Sequence, residues 1–333
     1  MNLCEQIEHA FRNRSMPKKL INAPGKLFSD DHEDALWFSG RDRREISWRD
    51  WEMHSGAIFM FSREAFVYYL PSLLLLAAGT PEAWFYPADT LFGTLDRSPN
   101  PDYWDGFIET RLFGLEDEEY EAIKAWILLF SGKSTYGDEN TLLRSYETIE
   151  LLQRETERLR QFSSDLCKQI EHAFRNRPTP DRLIDDATPL PARDDARYFS
   201  GKNWREISRR DWEAHPRVLC AFSPEAFVYY LPSILLLTTR NPRERLQVAE
   251  TLLSLIDRGT EDDFIKRRFL VLDAEECEAI QSWILSLSGR NIFGCRNIFG
   301  SEDKFARLYE AVDLLQQEVG QQKRLLHHSE VNK

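Results

Sequence analysis

Apolar residues along this chain recur at the spacing of an amphipathic α-helix. In the first segment Leu3 and Ile7 are four residues apart and Phe11 follows after four more, so all three lie on one helical face. Strict alternation of apolar and polar residues, which a half-buried strand requires, is hard to find in the sequence. The pattern therefore predicts an all-α fold.

Helix start and stop signals support this prediction. Ser47 is followed three residues later by Asp50, and Ser208 is followed by Asp211 at the same spacing, which is the arrangement of a capping box. Gly132 follows an apolar segment at the position where a helix commonly ends. These signals divide the chain into many short helices.

Two long apolar stretches predict the central helices of the fold. They read SREAFVYYLPSLLLL at residues 62–76 and SPEAFVYYLPSILLL at residues 223–237. Each begins with a serine that can cap a helix and carries apolar residues on nearly every face, which is typical of a fully buried helix. Pro71 and Pro232 lie inside these helices, where we expect a kink.

The likeness of these stretches is part of an internal repeat. Segments of the first half recur in the same order in the second half. The matching segments are 6–14 with 169–177, 38–54 with 199–215, and 121–132 with 278–289. A tandem RNIFG at residues 290–301 predicts a loop insertion in the second copy. A repeat of this length indicates a duplicated domain rather than a solenoid.

The repeat predicts two tandem homologous helical domains of about seven helices each. We set their bounds at residues 1–162 and 163–333. The junction carries no proline or glycine and keeps helical spacing of apolar residues, so we expect the domains to be joined through helix. A break at Ser163–Asp165, where Ser163 could cap the next helix, stays open.

The net charge of −12 is concentrated in the first half. Residues 1–162 hold 18 basic and 28 acidic residues, and the remainder holds 25 and 27, which gives −10 against −2. This balance argues against nonspecific nucleic-acid binding, which needs a cationic surface. It allows a basic protein partner for the first domain, although a solvated acidic surface is the plainer interpretation.

The composition indicates a soluble protein without metal or cofactor. No apolar run reaches the length of a membrane span, and the first residues lack a signal-peptide pattern, so we expect no membrane association. The five cysteines are widely spaced, which fits a reducing cytoplasm. No pair of cysteines or histidines has the spacing of metal ligands, and no motif predicts a cofactor.

Each repeat contains a histidine between a glutamate and a tyrosine pair. In the second copy, Glu206, His215, Tyr229 and Tyr230 could form a cluster for general acid and base catalysis. One tyrosine of the pair is expected to reach the helix that ends at the histidine. The plainer interpretation is a histidine at the negative end of a helix dipole.

The corresponding residues of the first copy are candidates for binding. In the first copy these are His54, Tyr68 and Tyr69, together with Arg44. In the second copy Trp204 and Arg205 are further candidates for binding. The arginines could bind a phosphate or a carboxylate. Salt pairing with the interleaved acidic residues Glu45, Asp50 and Glu52 is the plainer interpretation.

A longer pattern in the second copy carries a family resemblance. Its residues are Ala173, Phe174, Gly201, Trp204, Arg205, Glu206, Ile207, His215, Phe222, Glu225, Ala226, Phe227, Tyr229, Tyr230, Leu231 and Pro232. The pattern resembles a small bacterial family of helical domains of unknown function, with G-x-x-W-R-[DE]-[IL], then a histidine, then E-A-F-x-Y-Y-L-P. The first copy departs from it at Arg43, where the pattern has tryptophan.

The resemblance covers about the first half of each repeat and implies no reaction. It implies that a single repeat is a self-sufficient domain. Two functional hypotheses remain open on these grounds. One is a protein-interaction module of the immunity, adaptor or anti-defence type that uses both domains. The other is an enzyme with the acid-base cluster in the second domain and a degenerate first domain.

Overall fold

The computed structural model describes residues 1–21, 30–97, 106–133, 135–185, 190–241, 244–258, 262–288 and 302–331. Throughout these residues the regular structure is helical, with two isolated β-bridges and no strand. The prediction of an all-α fold is confirmed. The predicted loop insertion at 290–301 lies outside the described residues.

The chain divides into two compact units, one that ends at Leu159 and one that begins at Arg160. The helices of the first unit are α1 Leu3–Ala10, α2 Asp30–Trp37, α3 Trp48–Met53, α4 Ala57–Met60, α5 Arg63–Gly79, α6 Tyr86–Leu95, α7 Gly106–Leu112 and α8 Asp117–Leu129. Helix α9, Glu139–Ala173, runs across the division without a break at Ser163–Asp165.

The second unit has a similar order of elements, with the last part of α9 in the place of α1 and a 3₁₀ turn, Val218–Cys220, in the place of α4. Its helices are α10 Leu190–Arg197, α11 Arg209–Ala214, α12 Pro224–Arg240, α13 Gln247–Ile256, α14 Asp263–Phe269, α15 Ala274–Ser288 and α16 Glu302–Val331. Short 3₁₀ turns at Arg43–Glu45 and Trp204–Glu206 precede α3 and α11. Among the described residues, every helix is too short or too polar to cross a membrane.

Helices α5 and α12 form the centres of the two cores, as the apolar stretches predicted. Both continue through their internal prolines, Pro71 and Pro232. The serine after each proline is buried and has two partners. Ser72 Oγ donates to the Tyr69 carbonyl at 2.7 Å and accepts from the Trp51 indole at 3.0 Å. The polar atoms beside Pro71 are therefore satisfied inside the core.

The same contacts occur beside the proline of α12. Ser233 Oγ donates to the Tyr230 carbonyl at 2.7 Å and accepts from Trp212 Nε1 at 3.1 Å. A buried indole N–H needs an acceptor, and the repeated Trp and Ser supply each other's hydrogen bond. This pairing explains why both repeats place a serine directly after the proline.

The predicted N-caps form and also hold the segments that precede them. Ser62 Oγ accepts the Ala65 amide of α5 and donates to the Lys19 carbonyl at 2.5 Å. An isolated β-bridge joins Ile21 to Phe61 at the same place. Residues 13–21 therefore run as an extended strap that is fixed to the start of α5. In the second unit Ser223 Oγ accepts the Ala226 amide and donates to the Arg182 carbonyl. An isolated β-bridge joins Ile184 to Phe222 there.

An ion pair with a buried carboxylate connects each strap to another helix. The Arg14 guanidinium makes a two-pronged contact with the Glu119 carboxylate, with Nε 2.6 Å from Oε1. Arg177 and Glu276 make the same contact in the second unit. Each carboxylate also accepts a backbone N–H at the start of α8 or α15, which completes its hydrogen bonds. The repeated FRNR segment thus supplies a structural arginine.

We expect Glu276→Gln to destabilise the second unit by roughly 3 kcal/mol, because the Arg177 guanidinium would lose its buried counter-charge. Glu276 is 0% exposed. The neighbouring Glu275→Gln is the control, since that side chain is 64% exposed and should change stability by less than about 0.5 kcal/mol. Urea unfolding followed by circular dichroism measures both. Equal effects of the two variants would contradict a structural role for the pair.

Candidate functional site

Each predicted histidine is bound to an aspartate that the sequence interpretation missed. His54 Nδ1 lies 2.9 Å from Asp34 Oδ1, and His215 Nδ1 lies 2.8 Å from Asp195 Oδ1. The histidines follow α3 and α11, and the aspartates come from α2 and α10. Both His–Asp pairs are partly exposed. Each pair thus connects two helices that are separated by a turn.

An aromatic ring and a cation complete a stack on each histidine. The His54 ring lies 4.5 Å from the Trp37 ring at an interplanar angle of 20°, and the Arg41 guanidinium carbon lies 3.8 Å from the Trp37 centroid. The Trp37 indole therefore contacts both the imidazole and the guanidinium. The second unit repeats the stack with His215, Tyr198 and Lys202.

The second tyrosine of the first pair fixes the turn that carries this stack. The Tyr69 hydroxyl donates to the carbonyls of Phe38 and Arg41, at 2.6 and 3.0 Å. Between them Gly40 has a φ of +72°, which favours glycine. The segment FSGR therefore wraps around one buried hydroxyl. This tyrosine reaches the turn before the 3₁₀ segment and makes no hydrogen bond to the histidine helix.

Tyr230 makes the equivalent contacts in the second unit. Its hydroxyl donates to Phe199 at 2.5 Å and to Lys202 at 3.1 Å, and Gly201 between them has a φ of +74°. Burial raises the pKa of Tyr69 and of Tyr230 to about 12. Hydroxyls that are buried, neutral and hydrogen-bonded to carbonyls are placed to hold structure rather than to transfer protons.

The predicted acid-base cluster does not come together around His215. Glu206 is exposed and makes no ion pair within the described residues, and His215 binds Asp195 instead. Tyr229 is buried without a hydrogen bond to any described residue, and Tyr230 is bound to backbone carbonyls. A sequence signal for the true partner existed, because an aspartate precedes the histidine by 20 residues in both repeats.

The two units differ most clearly at the position of Arg43 and Trp204. Trp204 is buried in the second core, and the exposed Arg205 places its guanidinium carbon 4.1 Å from the Trp204 ring centroid. In the first unit Arg43 is buried instead, at 8% exposure, and donates to the Phe11 carbonyl at 2.8 Å. Burial lowers the pKa of Arg43. The position is therefore a core position in both units.

The predicted salt pairing of the arginines is not formed in the first unit. Arg44 is exposed, and its side chain makes no ion pair or hydrogen bond with a described residue. Asp50 binds the N–H and hydroxyl of Ser47 as the helix cap. Tyr68 is buried, and its hydroxyl is 3.5 Å from the Arg43 amide nitrogen. The first-copy candidates therefore fall into a core pair, Tyr68 and Tyr69, and a surface pair, Arg44 and His54.

Three concave surfaces lie within single units. A cleft of about 500 Å³ opens beside Arg43 and Arg44 in the first unit. A groove of about 300 Å³ lies between residues 13–18 and the start of α5. A groove of about 570 Å³ lies between residues 177–182 and the start of α12. The two grooves occupy equivalent places, beside the strap of each unit.

Two aromatic side chains stand out on the surface of the first unit. Trp84, before α6, and Tyr86, the first residue of α6, are 56% and 45% exposed, and their ring centroids are 5.8 Å apart. Phe85 between them is buried and packs on Trp48 at a centroid distance of 4.1 Å. The sequence interpretation did not single out this pair. The described side chains also form no cluster of three or more potential metal ligands.

Comparison with known proteins gives a family without an assigned function. Residues 163–289 match DUF6714, a family of unknown function. The match lies in the second half and includes the pattern from Gly201 to Pro232 on which the resemblance was based. No curated protein and no solved structure matches this chain.

The two tyrosines of α12 should respond differently to loss of the hydroxyl. We expect Tyr230→Phe to destabilise the second unit by about 2 kcal/mol, because the carbonyls of Phe199 and Lys202 lose the hydroxyl proton that they share. Tyr229→Phe should change stability by less than about 0.5 kcal/mol, since its hydroxyl has no described partner. Chemical unfolding of both variants measures the difference. A larger effect at Tyr229 would contradict the assignment of the two roles.

Alkaline pH should destabilise the protein through the buried hydroxyls of Tyr69 and Tyr230. A tyrosine with a folded pKa of about 12 and an unfolded pKa of about 10 contributes its full stability below pH 10 and loses it as the pH rises towards 12. We expect Tyr230 alone to account for roughly 2 kcal/mol of the loss by about pH 11.5. Tyr230→Phe should lose correspondingly less stability than the wild type between pH 9 and that pH. Identical losses would contradict burial of a neutral hydroxyl.

Proposed function

We propose that this protein is a protein-interaction module whose first unit binds a basic protein segment. The observation that carries the proposal is the exposed pair Trp84 and Tyr86. Tryptophan and tyrosine are enriched among the residues that dominate binding energy at protein interfaces. A protein that leaves a tryptophan more than half exposed on a fixed backbone gains no core stability from it, whereas a partner could cover it.

The backbone under the aromatic pair is held in place. Phe85 is buried at the N-cap of α6, and the Tyr136 hydroxyl accepts its N–H at 3.1 Å and donates to the Ala83 carbonyl at 3.0 Å. The two exposed rings therefore project from an ordered segment rather than from a loose loop. Preorganised aromatic side chains lose little conformational entropy on binding.

The surroundings of the pair favour a cationic partner. Glu82, two residues before Trp84, is exposed and binds Lys133, and Asp89, three residues after Tyr86, lies in the first turn of α6. Residues 1–162 also carry 28 acidic against 18 basic residues. A lysine or arginine that approaches the Trp84 face would gain a cation–π contact and the attraction of this acidic unit.

The second unit lacks this surface at the equivalent position. Leu246 takes the place of Phe85 as the N-cap of the following helix, α13, and the residues on either side of it are Arg245 and Gln247. Arg245 is bound to Glu250. We therefore assign recognition of the basic segment to the first unit alone.

The proposal includes the internal duplication as the origin of the two units. The repeated His–Asp pairs, tyrosine contacts and ion pairs support descent from one domain, with bounds at 1–162 and 163–333. The equivalent strap grooves offer a related second surface in each unit. A partner that contacts both units would gain from effective concentration. We also propose a cytoplasmic location, since Cys4, Cys167 and Cys220 form no disulfide.

Exchange of the aromatic pair for the residues of the second unit tests this function. The probe is a labelled synthetic peptide rich in lysine and arginine, measured by fluorescence anisotropy against sequence-matched neutral and glutamate-rich peptides. We expect the wild type to prefer the basic peptide, and Trp84→Arg with Tyr86→Gln to weaken binding at least about tenfold.

Leu128→Arg is the matched control, because it replaces another exposed apolar residue of the first unit by the same charge. It should reduce the affinity for the basic peptide only slightly if the aromatic rings, and not the overall charge, supply the binding energy. Trp84→Ala with Tyr86→Ala separates the ring contribution from the added charge. Equal affinity for basic and neutral peptides, or full affinity in the alanine variant, would overturn the proposal.

A further inference from the structure

The cleft beside Arg43 is lined by opposite charges on facing elements. It lies in the first unit between α1, the 3₁₀ turn and α5, with a volume of about 500 Å³. Small-molecule sites in proteins have similar volumes and combine apolar surface with a few charged groups. Glu5, Glu8 and His9 contribute from α1, and Arg43 and Arg44 contribute from the 3₁₀ turn.

The arginine wall retains donors for a ligand. Arg43 Nη2 donates to the Phe11 carbonyl at 2.8 Å, and Nη1 approaches the Tyr68 carbonyl at 3.5 Å. The remaining N–H groups of this guanidinium make no hydrogen bond within the described chain, although the side chain is more than nine-tenths buried. The Arg44 side chain beside it has no described partner either. Planar guanidinium groups of this kind suit a carboxylate.

The acidic wall is suited to an ammonium group. Glu5 is engaged in part, because its Oε2 accepts the Asn2 backbone N–H at 3.0 Å. Glu8 makes no ion pair or hydrogen bond with a described residue. A fully anionic ligand such as phosphate would be repelled by these carboxylates, whereas a ligand that carries both charges is attracted by both walls.

The third side of the cleft is apolar. Pro71 and Leu75 line it from α5, and the neighbouring Ser72 hydroxyl is already bound to the Tyr69 carbonyl and the Trp51 indole. A ligand would therefore meet carbon surface here rather than a free polar group. We infer that this cleft binds a free α-amino acid with an apolar side chain. Its carboxylate lies on Arg43 and Arg44, and its ammonium group lies on Glu8.

The second unit does not reproduce this site. Trp204 is buried where the first unit has Arg43, and the Arg205 guanidinium lies over the Trp204 ring. On the facing helix Lys168 stands in the place of Glu5, and Glu171, in the place of Glu8, is bound to Arg240 at 2.8 Å. Where the first repeat has Arg43 in place of the tryptophan, the charged groups on α1 therefore also differ from those of the second repeat.

Isothermal titration calorimetry with leucine tests the inference on the full chain. Two analogues each remove one charge: leucinamide lacks the carboxylate, and 4-methylpentanoate lacks the ammonium group. We expect leucine to bind and each analogue to bind at least about tenfold more weakly, because each loses a charge-assisted contact. Aspartate and inorganic phosphate should bind more weakly than leucine.

Three variants locate the site. Arg43→Trp introduces the residue of the second unit and should abolish leucine binding, and Arg43→Lys keeps the charge but should bind at least about fivefold more weakly. Glu8→Gln should weaken the binding of leucine and should not weaken the binding of 4-methylpentanoate, because the anion only loses a repulsive charge. Glu52→Gln, an exposed acidic residue of the first unit that does not line the cleft, should bind like the wild type.

The fold of each variant is checked by circular dichroism and thermal unfolding, so loss of binding is separated from loss of structure. If the folded wild type bound no leucine at a leucine concentration of about 10 mM, the inference would be overturned. A site that contacts both charges of the ligand should have a higher affinity than this result allows. Leucine binding that survives in folded Arg43→Trp would also overturn it. Equal binding of leucine and 4-methylpentanoate would exclude the zwitterionic ligand class.

Discussion

The hydroxyl of the second tyrosine in each central helix is the constraint on which the rest of each unit depends. Tyr69 and Tyr230 each bind two carbonyls of the FSG turn, and the turn can close around that hydroxyl because its glycine adopts a positive φ. This turn also positions the aromatic residue that stacks on the histidine and the cation that lies against the same ring. A buried polar contact thus organises a partly exposed surface.

The two units keep these buried contacts and differ at one core position, Arg43 or Trp204, and at the exposed Trp84 segment. The His–Asp pairs, the strap contacts and the Arg14–Glu119 and Arg177–Glu276 pairs occur in both. The aromatic pair Trp84 and Tyr86 differs at an exposed place, whereas Arg43 replaces a buried tryptophan and brings its own hydrogen bond to the Phe11 carbonyl. This distribution is expected if packing constrains the interior of both units, while binding constrains the surface of one.

Several local features were predictable from the sequence because they depend on neighbouring residues. The capping boxes at Ser47 and Ser208 and the buried helices around Pro71 and Pro232 formed as the patterns indicated. The partner of the histidine was harder to predict. The partner of His215 comes from a helix 20 residues earlier, and only the recurrence of an aspartate at this distance in both repeats favours Asp195 over the nearer Glu206.

The sequence by itself determined the helical class, the helix starts and the helices that had to be buried, because periodicity and capping act within a few residues. It also showed the internal repeat and the acidic first half. Only the tertiary structure decided that the second tyrosine of each pair holds a turn, that Arg43 occupies a core position, and that Trp84 and Tyr86 remain exposed. These outcomes depend on which elements approach each other in space, and a linear pattern does not encode that approach directly.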